Sequence, residues 1–194
     1  MEQLQEADLQ DKSMTYSTVD RVNHWLVAVV VIGLLAAGWT LYLDVLDREA
    51  ARNLRDMHKA IGVCVLAFGI WRVGYRLVCG FPERVGAAPS WQAISARIAH
   101  YILLAGILVM PISGLARGYF AGRGTDVFGL FSIPGAAFEN EALSNLGSAT
   151  HFIAGLLMTL VLALHILAAL KHHFVDRDTT LVRMLSGSTS RGRR

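Results

Sequence analysis

The chain has 194 residues, of which 54% are hydrophobic and only 17% charged, with a formal net charge of +3. Soluble domains carry about 25% charged residues, so the composition argues against an ordinary soluble domain and gives no reason to expect a nucleic-acid partner. A helix crossing a hydrocarbon core about 30 Å thick needs about 20 mostly apolar residues, and four segments approach that length.

Residues 1–20 are polar and read as an N-terminal arm. The first apolar run, Trp25 to Leu43, follows a stretch holding five acids, Glu2, Glu6, Asp8, Asp11 and Asp20. A signal peptide opens on a short cationic region instead, so the run is read as a membrane span. The link "DVLDREAARNLRD" is short and charged, with room for one interfacial turn of helix. In the second run Ala60 to Trp71 is uncharged, but Lys59 precedes it and Arg72 and Arg76 follow. It spans from about His58 to Val78 when those long side chains snorkel to the interfaces. Cys64 and Cys79 form neither CxxC nor CxxCH, so they support neither zinc nor covalently attached haem and read as packing residues.

The link "CGFPERVGAAPSWQ" reads as loop. The third run, Ile98 to Ala116, carries Pro111 as a kink. Arg117 to Ser148 is longer than two neighbouring antiparallel helices need. Its aromatic, Gly and Pro content suits either a cap over the outer face or a solvated loop. The fourth run, "ATHFIAGLLMTLVLALHILAAL", covers 149–170 without a formal charge. The end, "SGSTSRGRR", has the composition of a disordered basic tail. The expected organisation is an arm over 1–20, a four-helix membrane domain over 21–185 and a tail over 186–194. The fold class is all-α, a transmembrane four-helix bundle.

Twelve of the 18 cations fall on the side of the two termini: Lys12, Arg21, Arg72, Arg76, Arg84, Arg97, Lys171, Arg177, Arg183, Arg191, Arg193 and Arg194. The other six are Arg48, Arg52, Arg55, Lys59, Arg117 and Arg123. The positive-inside rule then expects both termini in the cytoplasm.

Five histidines, His24, His58, His100, His151 and His165, lie on or at the ends of these spans. Ionisable residues inside spans are costly and face a bundle interior, a cavity or a cofactor. A neutral histidine hydrogen-bonded between helices is the plain alternative for any one of them. On a helix, the fourteen residues from His151 to His165 make about 21 Å of rise and about 40° of rotation. The two therefore share a face but lie near opposite membrane surfaces, and one metal cannot take both. Matching by depth pairs His58 with His151 on the outer side and His24 with His165 on the inner side. One turn beyond each stands a small residue: Ala28, Gly62, Gly155 and Ala169. Beyond His100 stands the bulky Leu104. Small residues also permit close helix packing without a cofactor. A histidine one turn before each leaves space for a flat ligand, and two imidazoles from separate helices suit a six-coordinate b-type haem. Two haems b are expected, with the iron of one on His58 and His151 and that of the other on His24 and His165.

The segments "RVNHWL", "MHKAIG", "ARIAHYILL", "THFIAGLLMTLVLALHILAALKHHF" and "DTTLVRML" together resemble the bacterial cytochrome b561 family, whose relatives include the cytochrome b subunits of membrane-bound hydrogenases. The resemblance covers roughly 16–185. It implies a four-helix inner-membrane cytochrome with two haems b, their axial ligands falling on the same four histidines. In the short, free-standing form it implies oxidation of superoxide at the outer face and reduction of ubiquinone, with a quinone-site histidine matching His172.

The residues themselves add two observations. Arg48, Arg52, Arg55 and Lys59 crowd the outer approach to His58 and would concentrate a small anion, although Asp44, Asp47, Glu49 and Asp56 partly cancel them and helix anchoring explains them equally. Arg97, His100, Lys171, His172 and His173 gather at the inner level, where a quinone needs hydrogen-bond donors and a proton source. The expected quinone candidates are His172, His100 and Arg97. Two functions are expected to compete: a superoxide:ubiquinone oxidoreductase, and an electron-transfer subunit serving a separate protein donor such as a hydrogenase. A helical membrane protein without cofactor is the third.

Overall fold

A computed structural model describes residues 17–79 and 90–186. Most of the polar arm, the link over 80–89 and the basic tail from 187 lie outside the described residues. Helix α1 spans Thr18–Tyr42. Ser17 caps it, its Oγ accepting from the Asp20 N–H at 3.1 Å and donating to Asp20 Oδ2 at 2.8 Å, which satisfies a donor that the first turn leaves open. Residues 43–47 turn the chain, with Asp44 at φ 53°. Helix α2 then runs over Arg48–Cys79, capped by Asp47 Oδ1, which accepts from Glu49 N and Ala50 N at 3.0 and 2.9 Å.

Most of the charged link is therefore not a connection but the opening turns of α2. Its Ala, Arg, Glu and Leu residues are strong helix formers, and an Asp cap stands directly before them. Arg72 also departs from expectation. Instead of snorkelling outward it turns into the bundle, where its Nη1 donates to Oδ1 of Asn23 on α1. Asn23 is buried, at 5% exposure, and a charge at this depth is tolerated when it finds such a partner.

Helix α3, Ser90–Phe120, continues through Pro111, and α4 covers Glu141–Phe174 with Asn140 as its cap. A short helix, α5, follows over Thr180–Ser186. Among the described residues four helices are long and apolar enough to cross a membrane: Thr18–Tyr42, Arg48–Tyr75, Trp91–Phe120 and Glu141–Phe174. They alternate in direction, so the bundle has a terminal end, holding the start of α1 and the end of α4, and an opposite end between α3 and α4.

At that opposite end the long connection folds as a cap. Strands β1 (Thr125–Val127) and β2 (Phe131–Ile133) pair antiparallel, with Val127 opposite Phe131. Their turn places Phe128 and Gly129 at φ 55° and 70°, a pairing of positive angles that matches the right-handed twist of a hairpin. The cap is tied to the end of α3 by Ala136 N to Tyr119 O (2.9 Å) and Asn140 N to Phe120 O (2.8 Å), and to α2 by Lys59 Nζ to Gly124 O (3.2 Å). These ties make it a folded element and not a loose loop.

Large apolar side chains point outward along the helices, as at Val29, Ile70, Ile153 and Leu167, which suits a lipid surround. Lipid gives no hydrophobic drive between helices, so contact depends on small residues that admit a neighbour's backbone. Helices α3 and α4 approach most closely on that basis. Gly106 faces Met158, and a Cβ on Gly147 would lie 2.7 Å from Arg117 N and 3.1 Å from Ser113 O. The obstruction at Gly147 is backbone, which cannot swing aside. Gly147→Ala is therefore expected to destabilise the fold by about 1–3 kcal/mol through overpacking, measured by thermal unfolding in detergent. An unchanged melting temperature would show that the helices part freely at this point.

Candidate functional site

Helix α4 presents His151, Met158, His165 and His172 at intervals of seven residues, about two turns, so all four lie near one stripe. The other helices meet this stripe with histidines of their own. At the cap end, His58 of α2 faces His151, with ring centres 6.2 Å apart and planes at 76°. At the terminal end, His24 of α1 faces His165 at 6.4 Å and 56°. His100 of α3 also lies against His165, at 5.5 Å, and Trp25 packs edge-on to His24 at 5.4 Å.

Histidine nitrogens bind metal at about 2.0–2.1 Å, and a ring centre lies about 1.1 Å behind its nitrogen, so two imidazoles across one ion have centres about 6.3 Å apart. Both depth-matched pairs stand at that separation, whereas His100 and His165 are closer than it. The surroundings of the cap-end pair fit a ligand as well. His151 Nδ1 lies 2.9 Å from Met110 O. A carbonyl only accepts, so Nδ1 carries the hydrogen and Nε2 keeps its lone pair, the usual arrangement of a metal-ligating histidine. Ser113 Oγ donates to Val109 O at 2.7 Å and stands 3.3 Å from His151 Nδ1.

His58 Nδ1 is buried and has no hydrogen-bond partner among the described residues, a cost that a bound group or its retinue can relieve. Beside the rings opens a shallow cleft of about 80 Å³, walled by Leu34, Leu35, Trp39 and Phe152. Glycines line the pair. A Cβ at Gly114 would press on the His151 ring at 3.1 Å, one at Gly38 would reach His58 Cε1 at 3.7 Å, and one at Gly62 would meet nothing within 4 Å. The apolar, glycine-lined surround of His58 and His151 is of the kind a porphyrin packs against, although the cleft itself is much smaller than the ring.

At the terminal end the expected quinone candidates take different positions. Arg97 and His100 are exposed on α3. His172 is half-buried, and its Nδ1 lies 2.8 Å from Asp178 Oδ2 and 3.0 Å from Asp176 Oδ2. These donor atoms lie within 4.8 Å of one another. Lys171 Nζ, 2.7 Å from Asp176, already supplies a positive charge there without a metal. Burial tends to raise the Asp178 pKa, but the Thr180 N–H and hydroxyl and the neighbouring His172 outweigh it and hold the carboxyl below its usual range.

With membrane-crossing helices and histidines facing one another near both ends, the architecture is that of a helical membrane protein built around paired imidazoles. A family model described as prokaryotic cytochrome b561 matches residues 15–187. The chain is 30% identical to cytochrome b561 homolog 2 of Escherichia coli (strain K12) over 90% of its length and 93% of the relative's. It is 29% identical to the probable superoxide oxidase CybB of Yersinia pestis, over 88% and 95%. Cytochrome b561 homolog 1 of Escherichia coli (strain K12) is similar at 25% identity, over 84% and 92%. The chain belongs to the prokaryotic cytochrome b561 family. It is a multi-pass protein of the bacterial inner membrane that binds haem b and transfers electrons.

Several residues of the site were not evident from sequence. The Met110 carbonyl and Gly114 act through backbone, which residue type does not advertise. Asn23 stands directly before His24, and Arg72, read from sequence as snorkelling to the interface, turns inward to it instead. Asp176 and Asp178 carry no signal in spacing, because Arg177 at φ 54° reverses the chain between them and brings both to His172.

A carboxyl with a depressed folded pKa adds stability at and above its ordinary pKa, and that contribution disappears as pH falls through the folded value. Asp178→Asn is therefore expected to loosen 175–186 at pH 7, read as lower hydrogen-exchange protection. Below pH 3.8, the ordinary value, the gap between variant and parent should close as the parent's own carboxylate protonates. A gap that persisted unchanged to pH 2 would mean that its charge contributes nothing.

Proposed function

We propose that the chain carries two haems b, one on His58 and His151 and one on His24 and His165, and moves electrons from superoxide at the cap end to ubiquinone at the terminal end. The observation that carries the reading is the pair of imidazole spacings, 6.2 and 6.4 Å, repeated on the two levels of α4. Bound haem supplies a one-electron couple that cycles between ferrous and ferric iron. The chain supplies the ligands, a dry low-dielectric surround and the spacing along α4.

The charge asymmetry supports the direction. With the termini in the cytoplasm, the cap end faces the periplasm, and Arg48, Arg52, Arg55 and Lys59 line the approach to His58. A field of this sign raises the encounter rate of a small anion. Asp44, Asp47, Glu49 and Asp56 match these four cations in number, Lys59 pairing with Asp56 at 3.4 Å, so the attraction is local to the arginine side chains and not a net charge of this end. At the terminal end His172, His100 and Arg97 provide donors for the oxygens of a quinone. The name of the Yersinia pestis relative, a probable superoxide oxidase, supports the same donor.

A second reading draws on the cap. Phe128, Leu130 and Phe138 are exposed at 56%, 81% and 89%, a surface on which a protein electron donor could seat. Purified protein separates the two readings. The superoxide reading expects haem reduction by a superoxide source, and reoxidation by ubiquinone, with no other protein present; absence of that turnover favours a docked donor.

The ligand assignment has its own test. His58→Ala and His151→Ala should perturb the same b-type α band and lower haem from about two per chain to about one, while His24→Ala and His165→Ala should perturb the other. Spectra in which the losses pair differently would refute it.

A further inference from the structure

We propose that Asp178 is a positioning residue for His172, holding its Nδ1 together with Asp176 so that the ring meets the acceptor through Nε2. The proposal rests on the reading of the terminal end as the quinone site and names the part of the chain that prepares its histidine.

Asp178 Oδ2 stands 2.8 Å from His172 Nδ1, too close for a bare lone pair, so Nδ1 carries the ring hydrogen; the oxygen lies off the N–H axis, so the contact is a close charge contact and not an aligned hydrogen bond. Nε2 is then the nitrogen left for a ligand. It accepts a hydrogen bond while the ring is neutral and donates one to a carbonyl oxygen when the ring is protonated. Asp176 contributes at 3.0 Å but is shared with Lys171.

The backbone builds Asp178 into place. Its N–H donates to the His172 carbonyl at 3.0 Å, and its Oδ1 accepts from Thr180 N at 2.9 Å. Between the two acids Arg177 adopts a left-handed conformation, which costs a non-glycine residue energy and persists where its surroundings fix it.

The far side of this segment is latched as well. Arg21 Nη1 donates to Leu185 O at 3.0 Å and Trp25 Nε1 to Met184 O at 3.1 Å, serving carbonyls that the last turn of α5 leaves open. Trp25 is the neighbour of His24. Residues 175–186 thus form a strap from His172 to the helix that carries His24, and Asp178 is the point where the strap grips the ring.

The test uses full-length, haem-loaded protein in lipid nanodiscs. With ¹⁵N-histidine labelling, and the His172 signals identified by their loss in His172→Gln, the parent should show a protonated Nδ1 and an unprotonated Nε2. Asp178→Asn should mix the two tautomers, and Asp178→Glu should restore the parent pattern.

In parallel, reduction of decylubiquinone should show KM raised about tenfold by Asp178→Asn, the low end of what removing a histidine's orienting partner costs. The haem spectrum should be unchanged, and Asp178→Asn should add nothing to His172→Gln. An unaltered tautomer in Asp178→Asn, or additive effects of the two substitutions, would overturn the proposal while leaving the quinone site in place. If His172→Gln itself leaves quinone reduction untouched, the quinone reading fails and Nε2 loses its acceptor, whereas the tautomer measurement still judges the Asp178 contact.

Discussion

The arrangement depends on one constraint: a single apolar helix holds imidazoles at two depths, and each needs a partner at its own level. Fourteen residues put His151 and His165 on nearly one face of α4 but too far apart for a common partner. The opposing histidine must therefore come from a different helix at each end. Antiparallel connection supplies this directly, since α1 begins at the terminal end with His24 and α2 brings His58 to the cap end. Met158 lies midway on the same stripe at 3% exposure, with its sulfur against Gly106 of α3. The centre of the bundle is thereby closed by packing, and the two ends are opened around histidines.

Polar ties carry much of the specificity that hydrophobic burial would supply in water. Trp39 Nε1 donates to Thr159 Oγ1 at 3.0 Å, joining α1 to α4, and Arg72 joins α2 to α1 through Asn23. In a hydrocarbon surround an unpaired polar group is expensive, so each tie selects one register of two helices over its alternatives. The close approach at Gly147 acts in the same direction by shape. Where the helices carry no such device, their large side chains face lipid and specify little.

The spans and the histidine pairing were legible in the sequence because both follow from periodicity and length. Depth along an antiparallel bundle is a counting argument, and it brings His58 to His151 and His24 to His165 without knowledge of any side-chain contact. Hydropathy was a poorer guide to where α2 begins, since charged residues end a membrane span without ending a helix. The cap was legible as an excess of chain but not as a hairpin. A positive-φ turn favours Asn or Gly at its first central position, and this one has Phe128. The environment of His172 was hidden most completely, because it depends on the backbone reversal at Arg177, and nothing in the residue type signals one.

The two ends are built from different materials, and this bears on what each can do. At the cap end His151 is fixed by a main-chain carbonyl, and Gly114 stands close against its ring. A carbonyl does not titrate, and helix backbone does not rearrange readily, so the hold on His151 does not depend on a neighbour's protonation. At the terminal end the partners are side chains: Lys171, Asp176, Asp178 and, across the strap, Arg21 and Trp25. The two carboxylates can trade Lys171 and His172 as partners. A one-electron donor, such as the superoxide proposed for the cap end, gives up its electron without a proton, and a main-chain hold on the histidine suits it. A quinone needs protons as well as electrons, and His172 with its two carboxylates stands at the end where it is proposed to bind.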